Sequence, residues 1–346
     1  MTKTAGPALA DSTSTRARPG FWRVLFNGLL FLAACVGVCA VVGRMAPFPE
    51  VPGIFPKFDY FRKNRDQFDV VFVGSSRFYH QIIPSQFDAA VGQVRSFNFG
   101  YDGMWPPESM YLLRQLLALR PARLKWVVFD LMDINTRLDE RNNSTLRMAY
   151  WHDLAHTGMA FRDILSLPLN QAQKFDMLAQ HARHGFSQML NLGRGADLLQ
   201  QRLLPTRPKK KPYSWEGFAG YEVGPDRGME GEIRDGFVKT VNRLKLGIAP
   251  SQLRPVFRDA LSELIADVRR AGAEPIFVIA PTINSRENFA EMPDGATLIP
   301  LNDPAKYPEL FNPAKHYDAW HLNGKGAVDF TTILAEKFIE RTKAKP

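Results

Sequence analysis

Three short stretches carry side chains able to do chemistry. Residues 70–78 read "VVFVGSSRF", four apolar residues running into Gly74, Ser75, Ser76 and Arg77. Glycine and serine often punctuate strand ends, so a plain turn is one reading. The other is a serine nucleophile at the carboxyl edge of a parallel sheet, where open α/β folds place their chemistry. Residues 316–327, "HYDAWHLNGKGA", set Asp318 three positions before His321. An acid at that spacing can accept the imidazole Nδ1–H and leave Nε2 to take a proton. It can equally satisfy the backbone donors of a helix-entry loop. Residues 97–103, "FNFGYDG", combine Asn98 with Gly100 and Gly103 after an apolar run. Such a turn can aim N–H groups outward, as a developing oxyanion requires, or it can be a turn and no more. Its glycine spacing is not that of a dinucleotide fingerprint.

The other histidines carry less. His80 and His316 lie near these stretches in sequence, and solvated or core-satisfied roles are expected for them. His152, His156, His181 and His184 form pairs three and four residues apart without an acidic partner at ligand spacing. No metal site and no cofactor are expected.

The elements that would position these residues alternate. A strand at 69–73 leads into the Gly-Ser-Ser turn. A short helix near 84–92 and a second strand in "VRSFNFG" (94–100) follow. "PPESMYLLRQLLALR" (106–120) opens on proline and has helical apolar spacing, and "LKWVVFDLM" (124–132) reads as a buried parallel strand. From about 136 to 250 the rhythm loosens into helical pieces and Gly-, Pro- and Lys-rich loops, read as an insertion. It resumes with an amphipathic helix at 251–272, a buried strand in "EPIFVIAPT" (274–282), a short strand in "GATLIPLN" (295–302) and a closing helix from 323. Strand and helix in this order predict an α/β domain with a doubly wound parallel sheet.

Residues 24–43, between Arg23 and Arg44, contain no charge, a length sufficient for one helical membrane crossing. Arg16, Arg18 and Arg23 precede the run closely and Arg44 alone follows, which predicts a cytoplasmic N-terminus and an outward-facing C-terminal part. A cleaved signal peptide and a lipoprotein attached at Cys35 of "LAAC" are the rival readings. Cys35 and Cys39, the chain's two cysteines, both lie in this run and offer neither a disulfide framework nor a zinc pattern. The expected organisation is a tail at 1–23, a transmembrane helix at 24–44, a stalk at 45–65 and an extracytoplasmic domain at 66–346. The net charge of +9 concentrates in residues 1–44, with a surplus of four, and in "QRLLPTRPKKKP" (201–212), with five cations. The remainder is balanced, so a nucleic-acid groove is not indicated.

Together the three stretches resemble the SGNH (GDSL-like) hydrolase superfamily. Its Gly-Asp-Ser block matches Gly74-Ser75-Ser76, which makes Ser76 the corresponding nucleophile. Its second block matches Asn98 to Gly103, and its closing Asp-x-x-His matches Asp318 and His321. The resemblance covers roughly 66–135 and 251–340. It implies a three-layer α/β/α sandwich and a Ser76–His321–Asp318 triad, with an oxyanion hole from the backbone N–H groups of Ser76 and Gly103. Two departures stand out. Ser75 replaces the family's Asp, as in the membrane-anchored branch resembling the D-alanyl transfer protein DltD and the alginate O-acetylation proteins. The third block, Gly-x-Asn-Asp, is absent, and "FDLMDIN" stands in its place with Asn135 one residue off register as a substitute donor. For that branch the implied activity is acyl transfer, most simply of acetyl, to a surface or exported polysaccharide beside a multi-pass membrane-bound O-acyltransferase, in the bacterial inner membrane with the domain in the periplasm. A carbohydrate esterase and a catalytically degenerate scaffold or glycan-binding partner are the alternatives.

Overall fold

The computed structural model describes residues 20–45, 48–138, 145–191, 194, 216–219 and 228–343. Five strands form one wholly parallel sheet: β1 (Val70–Val73), β2 (Ser96–Asn98), β3 (Trp126–Asp130), β4 (Glu274–Ile279) and β5 (Thr297–Pro300), in the order β2-β1-β3-β4-β5. Apolar runs make β1, β3 and β4, which are largely buried; β2 is short and buried, and the edge strand β5 is mostly half-buried. From β1 the chain moves outward to β2, then returns past β1 to β3, with Val71 level with both Phe97 and Val127. Their carboxyl ends therefore open on a crevice where the winding reverses, the usual ligand position in open α/β sheets.

Strand side chains alternate between two apolar layers. Val71, Val73, Phe97, Phe99, Val127, Phe129, Phe277 and Ile279 face one layer. There they meet helices α2 (Ile54–Asn64), α5 (Glu108–Ala118) and α10 (Pro255–Arg270). Val70, Phe72, Val128, Ile276, Val278 and Ile299 face the other, with α4 (Pro84–Val91), α9 (Gly231–Leu244) and α11 (Gly324–Lys343). The α/β class and the parallel sheet expected from the pattern are thus present, with helices on both faces. Helix α10 shows why the pattern was readable. Pro255 opens it, Phe257, Leu261, Leu264, Ile265 and Val268 form its buried stripe, and Arg269 and Arg270 close it.

One expected element differs. Residues 45–65, read as an extended stalk, contain helix α2, whose Ile54, Phe58 and Phe61 are buried in the core. Each such side chain contributes roughly 1.5–3 kcal/mol through burial, so this segment belongs to the folded domain. Within 136–250 the described residues are mainly helical: α6 (Leu146–Ala149), α7 (Leu154–Ser166), α8 (Gln171–Met189) and α9. The N-terminal tail and the basic segment 201–212 lie outside the described residues. Helix α1 (Phe21–Met45) is long and apolar enough to cross a membrane and buries none of its residues in the domain.

Candidate active site

The two serines after β1 have separate tasks. Ser75 is buried and caps the short helix α3 (Ser76–Tyr79), its Oγ accepting from the Arg77 N–H at 3.3 Å. The same hydroxyl donates to Oδ2 of Asp130, at the end of β3, at 2.7 Å. Asp130 also takes the guanidinium of Arg77 at 3.1 Å, and Arg77 reaches Glu287 at 2.6 Å. Burial pushes the Asp130 carboxyl upward, while the Arg77 charge and the Ser75 hydrogen bond pull the other way. This buried network fixes the start of α3 against β3.

Ser76, one residue on and partly exposed, turns instead to the closing loop: its Oγ lies 2.7 Å from Nε2 of His321. His321 Nδ1 faces both carboxylate oxygens of Asp318 at 2.9 Å. Asp318 Oδ1 also accepts the backbone N–H groups of Trp320 (2.7 Å) and His321 (2.8 Å). The carboxylate therefore shapes the turn and orients the imidazole at once, and the two readings of the Asp-x-x-His spacing are one arrangement. Partial burial acts to raise the Asp318 carboxyl, but the hydrogen bond and charge of His321 and the backbone donors hold it below its ordinary value. The loop is anchored by Asn323, whose Oδ1 accepts from Lys325 and Gly326 at the start of α11 and whose Nδ2 donates to Ala314 O.

The 98–103 loop lies against the serine turn. Phe99 N donates to Phe72 O at 2.7 Å and Tyr101 N to Gly74 O at 3.0 Å. Asn98 is structural: Nδ2 donates to Phe78 O and Ile82 O, and Oδ1 accepts the Gly100 N–H. A side chain at Gly100 would meet the Tyr79 nitrogen at 2.5 Å, so this close approach requires glycine. Gly103 turns the chain at φ +61. From the insertion, Arg147 braces this turn, donating to Asp102 O at 2.6 Å and to the buried Glu108 carboxylate at 3.1 Å.

Gly103, Asp102, Trp105, Asn135, Arg147 and Trp151 are among the residues around a cavity of about 430 Å³. Asn135 therefore shares a cavity with Gly103. Its Oδ1 is engaged by the Arg137 N–H, and among the described residues no hydrogen bond joins it to Ser76 or His321. Neither of those two lines the cavity, which starts at the Gly103 shoulder of the site.

His80 sits between Ala219 O (2.5 Å) and Asp102 Oδ1 (2.8 Å). His316 is buried and held by Leu310 O at 2.8 Å, a core-satisfied histidine. Among the described residues, no three His, Cys, Asp or Glu side chains gather as a metal site would need. Asp130, Glu287, Arg147 and Lys57 were not singled out in the sequence. Asp130 alone had a signal, an acid closing an otherwise apolar strand. Compared with known proteins, the chain matches no protein-family model, and no curated protein matches it.

Proposed function

We propose that this chain is a membrane-anchored, SGNH-like serine acyltransferase acting outside the cytoplasmic membrane. It moves an acyl group, most simply acetyl, onto a cell-surface or exported polysaccharide. The observation that carries this reading is the unbroken hydrogen-bonded series Ser76 Oγ, His321 Nε2, His321 Nδ1 and Asp318 at the carboxyl edge of a parallel sheet. His321 takes the Ser76 proton as Oγ attacks the carbonyl carbon of an ester donor. The N–H groups of Ser76 and Gly103 stabilise the tetrahedral oxyanion, with Asn135 as a further donor from the cavity side. The C–O bond to the leaving alkoxide then breaks, and that alkoxide takes the proton from His321. The acyl-serine is attacked by a sugar hydroxyl, whose proton passes to His321 and returns to Ser76 as the new ester leaves.

The membrane-crossing length of α1 and the arginine asymmetry around it support an anchored domain on the outer side, periplasmic in a bacterial inner membrane. A donor delivered through that membrane by a multi-pass O-acyltransferase fits this location and the sequence resemblance. The test is acylation of the surface glycan in cells carrying Ser76→Ala. Loss of acylation with normal protein levels is expected, and unchanged acylation ends the proposal. Turnover of p-nitrophenyl acetate with no transfer to added glycan would reassign the chain to the esterases. A wild-type chain that a fluorophosphonate fails to label at Ser76 would make it a scaffold or glycan-binding partner.

A further inference from the structure

Lys57, on the helix expected to be stalk, is fully buried. A buried amine is costly unless hydrogen-bonded, and this one is engaged at a functional place. Its Nζ donates to Asn98 O at 3.1 Å and Gly100 O at 2.6 Å, and it lies 4.0 Å from the centre of the Tyr79 ring. Each of those carbonyls belongs to a peptide whose N–H is used on its other side. The Asn98–Phe99 peptide donates to Phe72 O, and the Gly100–Tyr101 peptide donates to Gly74 O. Lys57 therefore heads two parallel hydrogen-bond chains that cross the loop and end on the last residues before the serine turn. Chains of this kind polarise and strengthen one another at low local dielectric. The same helix meets the loop again at its start. Gly53, at φ +77, leaves no room for a side chain, since an added Cβ would lie 2.0 Å from the Tyr101 hydroxyl.

We propose that Lys57 is a positioning residue for acyl transfer, holding the 98–103 loop in register with the serine turn so that the Gly103 N–H meets the oxyanion; this rests on the reading given under Proposed function. Burial drives the Lys57 amine well below the ordinary lysine range, with the Asp102 charge opposing that shift, which agrees with an amine enclosed by the loop it holds. Helix α2 begins nine residues after α1 ends, a span of at most about 32 Å. The loop is thus held by the element that follows the membrane-crossing helix in the chain.

The full chain in lipid nanodiscs tests this through Lys57→Met, which keeps the stem and removes the donor. Fluorophosphonate labelling of Ser76 and kcat for p-nitrophenyl acetate are expected to fall about 10- to 100-fold, in line with a catalytic group displaced by about an ångström, with KM within about twofold. Phe58→Leu, in the same helix but with an apolar side chain stacked on Phe48, supplies the comparison: it lowers Tm while keeping the labelling rate. Wild-type rates in Lys57→Met, or a loss no greater than in Phe58→Leu at equal Tm, overturn the assignment. A Lys57→Met chain that fails to fold passes the decision to Gly53→Ala, which pushes on Tyr101 from the same helix and is read by the same rates. A wild-type chain that neither labels nor turns over removes the acyl-transfer reading itself, a result distinct from an active wild type with an indifferent Lys57.

Discussion

The hydroxyl of Ser75 donates to Asp130 at 2.7 Å, while the hydroxyl of the next residue, Ser76, meets His321 at 2.7 Å. Two adjacent serines are thereby committed to opposite tasks, one inside the sheet edge and one toward the crevice. Ser76→Ala is expected to abolish fluorophosphonate labelling while leaving Tm nearly unchanged, because its partly exposed hydroxyl supports no buried group. Ser75→Ala has the reverse signature. It removes a donor from the buried Asp130 and the cap of α3, costing about 1–3 kcal/mol, and labelling at Ser76 persists. Parallel labelling and thermal denaturation of the two variants check the division; a Ser75→Ala chain that folds normally but no longer labels would reverse the assignment.

Asp318→Asn tests whether the carboxylate does more than shape its turn. The amide keeps an oxygen for the Trp320 and His321 backbone N–H groups, so the loop is expected to stand. It presents the His321 Nδ1 with a group able to donate, favouring the tautomer that cannot take the Ser76 proton. By analogy with the effect on serine triads, kcat for p-nitrophenyl acetate should fall by about 10³- to 10⁴-fold, with KM little changed. A decrease of less than about tenfold would leave Asp318 a turn residue only.

The legibility of the site followed from how local its parts are. Asp318 and His321 sit in one turn, and Ser76 follows a strand whose apolar run is plain, so sequence spacing alone brings them into view. The family resemblance alone distinguishes Ser76 from Ser75; the partner of the Ser75 hydroxyl leaves no local signal, because Asp130 arrives from β3 and the Glu287 that joins it through Arg77 from a distant segment. In residues 45–65, Pro47, Pro49, Pro52 and Pro56 suggest a spacer. Ile54, Phe58 and Phe61, four and three residues apart, carried the opposite signal, a helical stripe. Lys57 and Arg147 were hidden for another reason: each acts on the backbone of the 98–103 loop, and backbone acceptors leave no residue-type signature.

Arg147 and Glu108 link the segment after residue 145 to the 98–103 loop beside the candidate site. Glu108 is buried, and its carboxyl is pushed upward by that burial against the pull of Arg147 and the Tyr150 hydroxyl. Arg147→Met would leave the carboxylate with Tyr150 as a side-chain donor at 2.8 Å. A loss of about 3–5 kcal/mol is expected near neutral pH. The sign with pH is set by an acid whose folded value rises further above its unfolded one. The folded variant then binds a proton before the unfolded chain does, so its deficit relative to wild type shrinks as pH falls through that raised value. Adding Glu108→Gln to Arg147→Met should restore part of the stability. Denaturation of the wild type and both variants between pH 5 and about 8 checks this, and a deficit independent of pH and of Glu108→Gln would refute it.

His152 and its neighbours make the insertion acid-sensitive. His152, His181 and His184 are buried, with His152 Nε2 2.8 Å from His181 Nδ1. Burial, followed by the adjacent imidazoles, drives His152 down to about 2. Burial, the Arg183 charge and His181 bring His184 to about 4, and burial lowers His181 against its hydrogen bond to Thr136 O. The unfolded chain takes up these protons from the ordinary histidine value of 6.5 downward, while the folded chain resists them. Their neutral packing is therefore fully stabilising above that value and is lost as pH falls through it. For His152 the slope is about 1.4 kcal/mol per pH unit across the interval. His152→Phe is expected to flatten the acid limb of a stability-against-pH curve by about that slope, whatever it does to the plateau near pH 7. An acid limb as steep as that of the wild type would mean that His152 does not set the response.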